Sequence, residues 1–105
     1  MKDWRKPLFL ALAFLMIGMV THPMPQSFKP KDGFVSDEKT AIAVARAILN
    51  GVYGEKQISA EEPLSASLRG ETWTVKGTPH MPNGGVAEIE ISKETGKVLR
   101  VTHGK

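Results

Sequence analysis

The feature that most constrains this chain is a two-residue periodicity near its C-terminus. Ala87, Ile89 and Ile91 alternate with Val86, Glu88 and Glu90. Successive side chains of a strand point to opposite faces, so this run has one apolar face and one mostly polar face. Leu99 and Val101 alternate in the same way with Val98, Arg100 and Thr102. Between the two runs lies Lys93-Glu94-Thr95-Gly96-Lys97, whose glycine supplies the positive φ angle that a short hairpin loop demands. The stretch reads as a β-hairpin with one greasy face. Such a hairpin is not stable alone in water, so another element must cover it.

That cover lies between Ser36 and Tyr53. Ala41, Ala45, Ile48, Leu49 and Val52 fall at helical spacing, and Ile42 widens the stripe. Lys39, Arg46 and Asn50 mark the wetter side. Ser36 or Asp37 can cap the start, Asp37 and Glu38 suit the positive end of the helix dipole, and Gly54 is a stop. The alanines let a helix lie close on a sheet, so the stripe reads as core packing rather than a partner-binding face. Two more strands precede the hairpin. Leu64, Ala66 and Leu68 alternate with Ser65 and Ser67, and Trp73 and Val75 alternate with Thr72, Thr74 and Lys76. Arg69-Gly70-Glu71 is the turn between them, and Trp73 is a core residue. The expected fold class is α+β: one long helix packed on an antiparallel sheet of about four strands, preceded by an N-terminal signal or anchor helix.

The domain division follows from the N-terminus. Met1 to Lys6 is basic, and Pro7 to Val20 is a continuous apolar run. That run has the length of a signal-peptide core and falls short of the roughly 20 residues that span a bilayer. Residues 1–22 are therefore expected to be a signal peptide or membrane anchor. Residues 23–33, with Pro23, Pro25 and Pro30, are a linker. Residues 34–105 form the domain, with Phe34 and Val35 as its first contact. The protein is expected to be exported, either periplasmic or anchored in the inner membrane facing the periplasm, and to meet membrane only through the N-terminal segment. The chain has no cysteine, which excludes disulfides, cysteine metal sites and a lipoprotein anchor.

Charge narrows the partners. The formal net charge is +3, but from Phe28 onward eleven Lys/Arg face ten Asp/Glu. A domain that balanced has no electrostatic footprint for nucleic acid. Motifs narrow the chemistry. There is no cysteine nucleophile, no Gly-x-Ser-x-Gly and no phosphate-cradling glycine loop. Glu61 and Glu62 are adjacent, and neighbours in an extended chain point apart, which argues against a catalytic carboxylate pair. Around them, Glu55 to Pro63 reads as a polar connection with little pattern. His22, His80 and His103 have no metal-ligand spacing. No enzyme activity, metal or cofactor is expected. The irregular segment Gly77 to Gly85 is the candidate functional loop, because exposed loops carry function more often than cores do. The candidate partner-binding residues are His80 and Met81 on that loop, with Glu88, Glu90 and Arg100 on the polar hairpin face.

Several segments together resemble a known family. These are Gly33-Phe34-Val35, the helix entry Asp37-Glu38-Lys39-Thr40-Ala41-Ile42-Ala43, and its exit Tyr53-Gly54-Glu55-Lys56-Gln57-Ile58. With them go Trp73-Thr74-Val75-Lys76-Gly77-Thr78 and the terminal hairpin from Gly84 to Lys105. The combination resembles the bacterial immunity proteins classed under the nuclear-transport-factor-2-like fold. The resemblance implies a protein that binds a cognate toxin of a polymorphic toxin system and neutralises it by occlusion, without turnover. The Ala-Ile-Ala helix, the Trp strand and Glu-Ile-Glu-Ile followed by Thr-Gly-Lys-Val also resemble PepSY-type domains. Those imply an extracytoplasmic modulator of a peptidase. A small ligand-binding domain is the third reading. A deep pocket holding a carboxylate or histidine would favour that third reading; a flat surface of mixed charge would favour either of the first two.

Overall fold

The computed structural model describes residues 27–104. The signal or anchor segment expected over residues 1–22, and the first part of the linker, lie outside the described residues. Two helices precede four strands: α1 (Glu38–Tyr53), α2 (Glu55–Ser59), β1 (Ser65–Arg69), β2 (Thr72–Lys76), β3 (Ala87–Ser92) and β4 (Val98–His103). The strands form one antiparallel sheet in the order β1-β2-β3-β4. Each strand pairs with its sequence neighbour, and α1 lies across β1, β2 and β3. The fold is thus the α+β arrangement of one long helix on a four-stranded antiparallel sheet.

The side chain of Asp37 accepts the Thr40 N–H at 2.7 Å and caps α1, while Gly54 ends it. Ala41, Ala45 and Leu49 recur every fourth residue and are completely buried. The two alanines bring the helix backbone close to the sheet. The row continues at Tyr53, which packs against the core. Val52, expected on the stripe, stands one residue before that row and is 55% exposed. Beneath the helix lie Trp73 and Val75 of β2 and Ala87, Ile89 and Ile91 of β3, all buried. Each large apolar side chain covered in this way is worth about 1.5–3 kcal/mol. Trp73 also donates its indole N–H to the Val35 carbonyl at 2.8 Å, which ties the entering chain to the sheet. Val35 is buried beside it, whereas Phe34 remains 55% exposed.

Two details here depart from the sequence reading. Residues 55–59 form the short helix α2, which buries Ile58; five residues are too few for a periodicity to show. In β4, Arg100 pairs with Glu90 but Val98 pairs with Ile91, so Leu99 is an extra residue in a β-bulge. The bulge shifts the alternation beyond Arg100. Val98 takes the inner register expected of Leu99, and Leu99 is half exposed. The hairpin turn is as read, with Gly96 at a φ of 77° and its N–H donating to the Ser92 carbonyl.

Candidate functional site

The pairing register sets eleven side chains on the open face of the sheet, away from α1, in three rows. The first row is Ser65, Lys76, Glu88 and Thr102; the second is Ser67, Thr74, Glu90 and Arg100; the third is Arg69, Thr72 and Ser92. Every one of these paired positions is hydroxylated or charged. Eight of these side chains, all but Ser65, Ser92 and Thr102, line a shallow groove of about 530 Å³. Arg100 holds its middle. Its Nη2 donates to the Glu88 carboxylate and, at 2.9 Å, to Glu90 Oε2, while Nη1 reaches Thr102 Oγ1 at 3.5 Å. Glu90 and then Glu88 hold the guanidinium still more firmly protonated than usual. Both carboxylates of the face are therefore turned onto one arginine. Arg69 and Lys76 have no ion-pair partner among the described residues.

His80 and Met81 sit elsewhere. The segment after β2 is fastened to the elbow at 61–63, which contains a cis Glu62–Pro63 bond. The Thr78 N–H donates to the Glu61 carbonyl at 2.7 Å and its hydroxyl to the Pro63 carbonyl at 2.6 Å. His80 Nε2 meets the Glu62 carbonyl at 2.7 Å. A carbonyl only accepts, so that nitrogen carries a proton. Met81 at the tip is 71% exposed. The structure brings Glu88, Glu90 and Arg100 together in the groove, but neither His80 nor Met81 lines it.

A third cluster escapes the sequence reading. Glu61 and Glu62 do point apart, as neighbours should, but Glu61 points into the core and is only 5% exposed. Its Oε1 accepts the Ala87 N–H at 2.6 Å; its Oε2 accepts Gln57 Nε2 at 2.8 Å and His103 Nε2 at 2.9 Å. Burial alone would raise its pKa. The Ala87 N–H, then Gln57 and His103, outweigh burial and hold the carboxyl below its usual range. His103 Nδ1 faces the Gly104 carbonyl at 2.7 Å. Both ring nitrogens therefore meet acceptors, which suits an imidazolium, and Glu61 raises the His103 pKa. The Tyr53 ring stands edge-on at 5.2 Å. Glu62 turns outward to a two-pronged pair with Arg46, at 2.8 and 3.1 Å. The one local signal of the buried cluster is the Gln57–Glu61 spacing, four residues apart beside apolar Ile58.

Chemically, the Glu61 cluster is a clasp. Both carboxylate oxygens and both His103 nitrogens are engaged, which leaves no free base or nucleophile. No three His, Asp or Glu side chains gather as a metal site among the described residues. No helix among them is long and apolar enough to cross a membrane. The open face, by contrast, is a shallow surface of mixed charge, and it holds no buried carboxylate or histidine.

The chain has relatives of known sequence. It is 33% identical over 73 residues to the uncharacterized protein YhhH of Escherichia coli (strain K12), which covers 68% of this chain and 58% of YhhH. It is 36% identical over 73 residues to the uncharacterized protein YbbC of the same organism, which covers 68% of this chain and 60% of YbbC. The alignments thus span less than two thirds of either relative. No solved structure matches the chain. Residues 40–105 match the family model described as NTF2 fold immunity protein, the first of the two resemblances, and its PepSY rival has no such support. With the match covering nearly all of α1 and the whole sheet, the chain belongs to the NTF2 fold immunity protein family.

Proposed function

We propose that this protein is an exported immunity protein that binds its cognate protein toxin and blocks it by occlusion, without catalysis. Family membership carries the reading. The shape of the molecule supports it: the described residues offer a shallow charged face rather than an enclosed pocket with a free reactive group. The proposed partner surface is the open face at Glu88, Glu90 and Arg100, with His80 and Met81 on the neighbouring loop as a second point of contact. Export follows from the basic start and apolar run of residues 1–22, acting as signal peptide or anchor, with residues 23–33 as the linker. This places the protein in the periplasm or on the inner membrane facing it, where an incoming toxin arrives.

The test is co-expression of the full chain with the products of the genes beside its own. Stoichiometric recovery of a toxic protein, together with rescue of growth, is the expected result. Rescue lost on removal of residues 1–22 would support the export part of the proposal. Recovery of a peptidase with no rescue would replace this reading with a peptidase modulator.

A further inference from the structure

We infer that the open sheet face docks an acidic protein surface, with Arg69 and Lys76 as its anchoring cations; this rests on the partner-binding function proposed above. The inference comes from which charges remain available. The face carries three cations and two carboxylates, and both carboxylates are already hydrogen-bonded to Arg100. Arg69 and Lys76 have no ion-pair partner among the described residues. They stand in opposite end rows, at the two ends of the groove. Four residues of strand separate their rows, roughly 13 Å. Arg100 lies in the row between them, and the hydroxyls of Ser67 and Thr74 share that row.

A partner with a basic cleft would meet the unpaired Arg69 and Lys76 here and no uncommitted carboxylate. Like charges brought together at an interface cost several kcal/mol, so the face selects against such partners. Nucleic acid fits no better. No aromatic side chain stands at the eleven open-face positions for a base to stack on, and the domain is close to neutral. A carboxylate-bearing protein surface gives Arg69 and Lys76 the partners they lack, and the hydroxyls accept or donate as required. Arg100, already paired to Glu88 and Glu90, supplies an ordered centre between the two free cations. Three neighbours on its own face fix its guanidinium, so little rotamer freedom is lost on binding, and arginine is enriched among the residues that dominate interfaces. Four strands about 4.8 Å apart and about 13 Å of strand between the end rows cover only about 250 Å² in plan, well under the ~800 Å² each partner gives to a stable interface, so the face forms the centre of one and not the whole.

The experiment is an amide chemical-shift titration of the full chain with hexaglutamate, hexalysine and a short DNA duplex. Hexaglutamate is expected to move the amides of Ser67, Thr74 and Glu90, and hexalysine to move none of them. Replacing Arg69→Gln and Lys76→Gln together, neutral changes at exposed positions, should weaken hexaglutamate about tenfold. Four results would each overturn the inference: no response to hexaglutamate, an equal response to hexalysine, occupancy of the face by the duplex, or shifts centred on the Lys93–Lys97 turn. The outcome separates from that of the toxin assay. A face that takes hexaglutamate in a protein that protects no cell removes only the immunity reading. A captured toxin that leaves these amides unmoved removes only the docking surface.

Discussion

Trp73 and Thr74 are neighbours in β2, and their surroundings could hardly differ more. Trp73 lies under α1 with Ile91 opposite it and its N–H on the Val35 carbonyl. Thr74 lies on the open side between Ser67 and Glu90. The same strand builds both faces, and only the two-residue alternation separates them. The inner face is where stability resides; the outer face is free to be chosen for a partner. Substitutions one residue apart should therefore have opposite kinds of effect. Trp73→Ala should cost about 3–5 kcal/mol, measured by chemical denaturation, and so leave a domain of this size largely unfolded. Thr74→Ala should stay within about 0.5 kcal/mol. Similar losses at the two positions would break the comparison.

The next effect in size tests whether the inner face tolerates a single added methyl. Gly77 follows β2 and is buried against Glu61. A Cβ built there would stand 2.5 Å from Glu61 Oε1 and 2.8 Å from Glu61 Cβ. Oε1 is the atom that accepts the Ala87 N–H. Gly77→Ala must therefore push Glu61 away and leave that amide without its partner, at about 1–3 kcal/mol. Gly51, which a Cβ would leave with open space around it, is the control: Gly51→Ala on α1 should not destabilise.

These positions also show what the sequence makes legible. The alternation of Ile89 and Ile91 with Glu88 and Glu90 is local, so the sidedness of the hairpin can be read directly. The same holds for the alanine row of α1. Val52 is helical as read but lies off the buried stripe, because the buried row follows the fourth-residue spacing through Tyr53. The Leu99 bulge is invisible in sequence, since it exists only in the pairing of β4 with β3. Glu61 is the clearest case. A buried carboxylate and a solvated one look alike in a sequence, and two of its partners, Ala87 and His103, lie 26 and 42 residues away. The open face was half legible. Glu88, Glu90 and Arg100 stand out in the sequence on the polar hairpin face, but Lys76 and Arg69 join them only through the register of the strands.

Protonation of the clasp gives a smaller effect, on the order of 1 kcal/mol, because His103 is partly exposed. The His103 pKa is raised above its ordinary 6.5, so its contribution is complete below that value and is lost as the pH rises through the raised one. The Glu61 pKa is lowered from 4.5, so its contribution is complete above 4.5 and is lost as the pH falls through the lowered value. Thermal midpoints should therefore be highest between about 4.5 and 6.5 and decline on both sides. His103→Gln should flatten the alkaline decline and keep the acid one, since Ala87 and Gln57 still hold Glu61. An alkaline decline unchanged in that variant would remove His103 as its cause.

The smallest effect on stability belongs to Arg100, and salt reveals it best. Glu88 and Glu90 are two residues apart on one face of β3, about 7 Å from each other. Arg100 lies between them and turns a repulsion into two attractions. Added salt screens exposed charges over about 10 Å at 0.1 M, whatever their sign. In the native protein it weakens a net attraction, so salt should lower the thermal midpoint slightly. In Arg100→Gln only the carboxylate repulsion remains at this spot, so the same salt should raise it. A reversal of sign between the two proteins is a sharper result than any difference in midpoint, because it does not depend on how much the substitution itself destabilises. If the two salt dependences run parallel, the arginine is an ordinary surface side chain, and the open face loses the fixed cation at its centre.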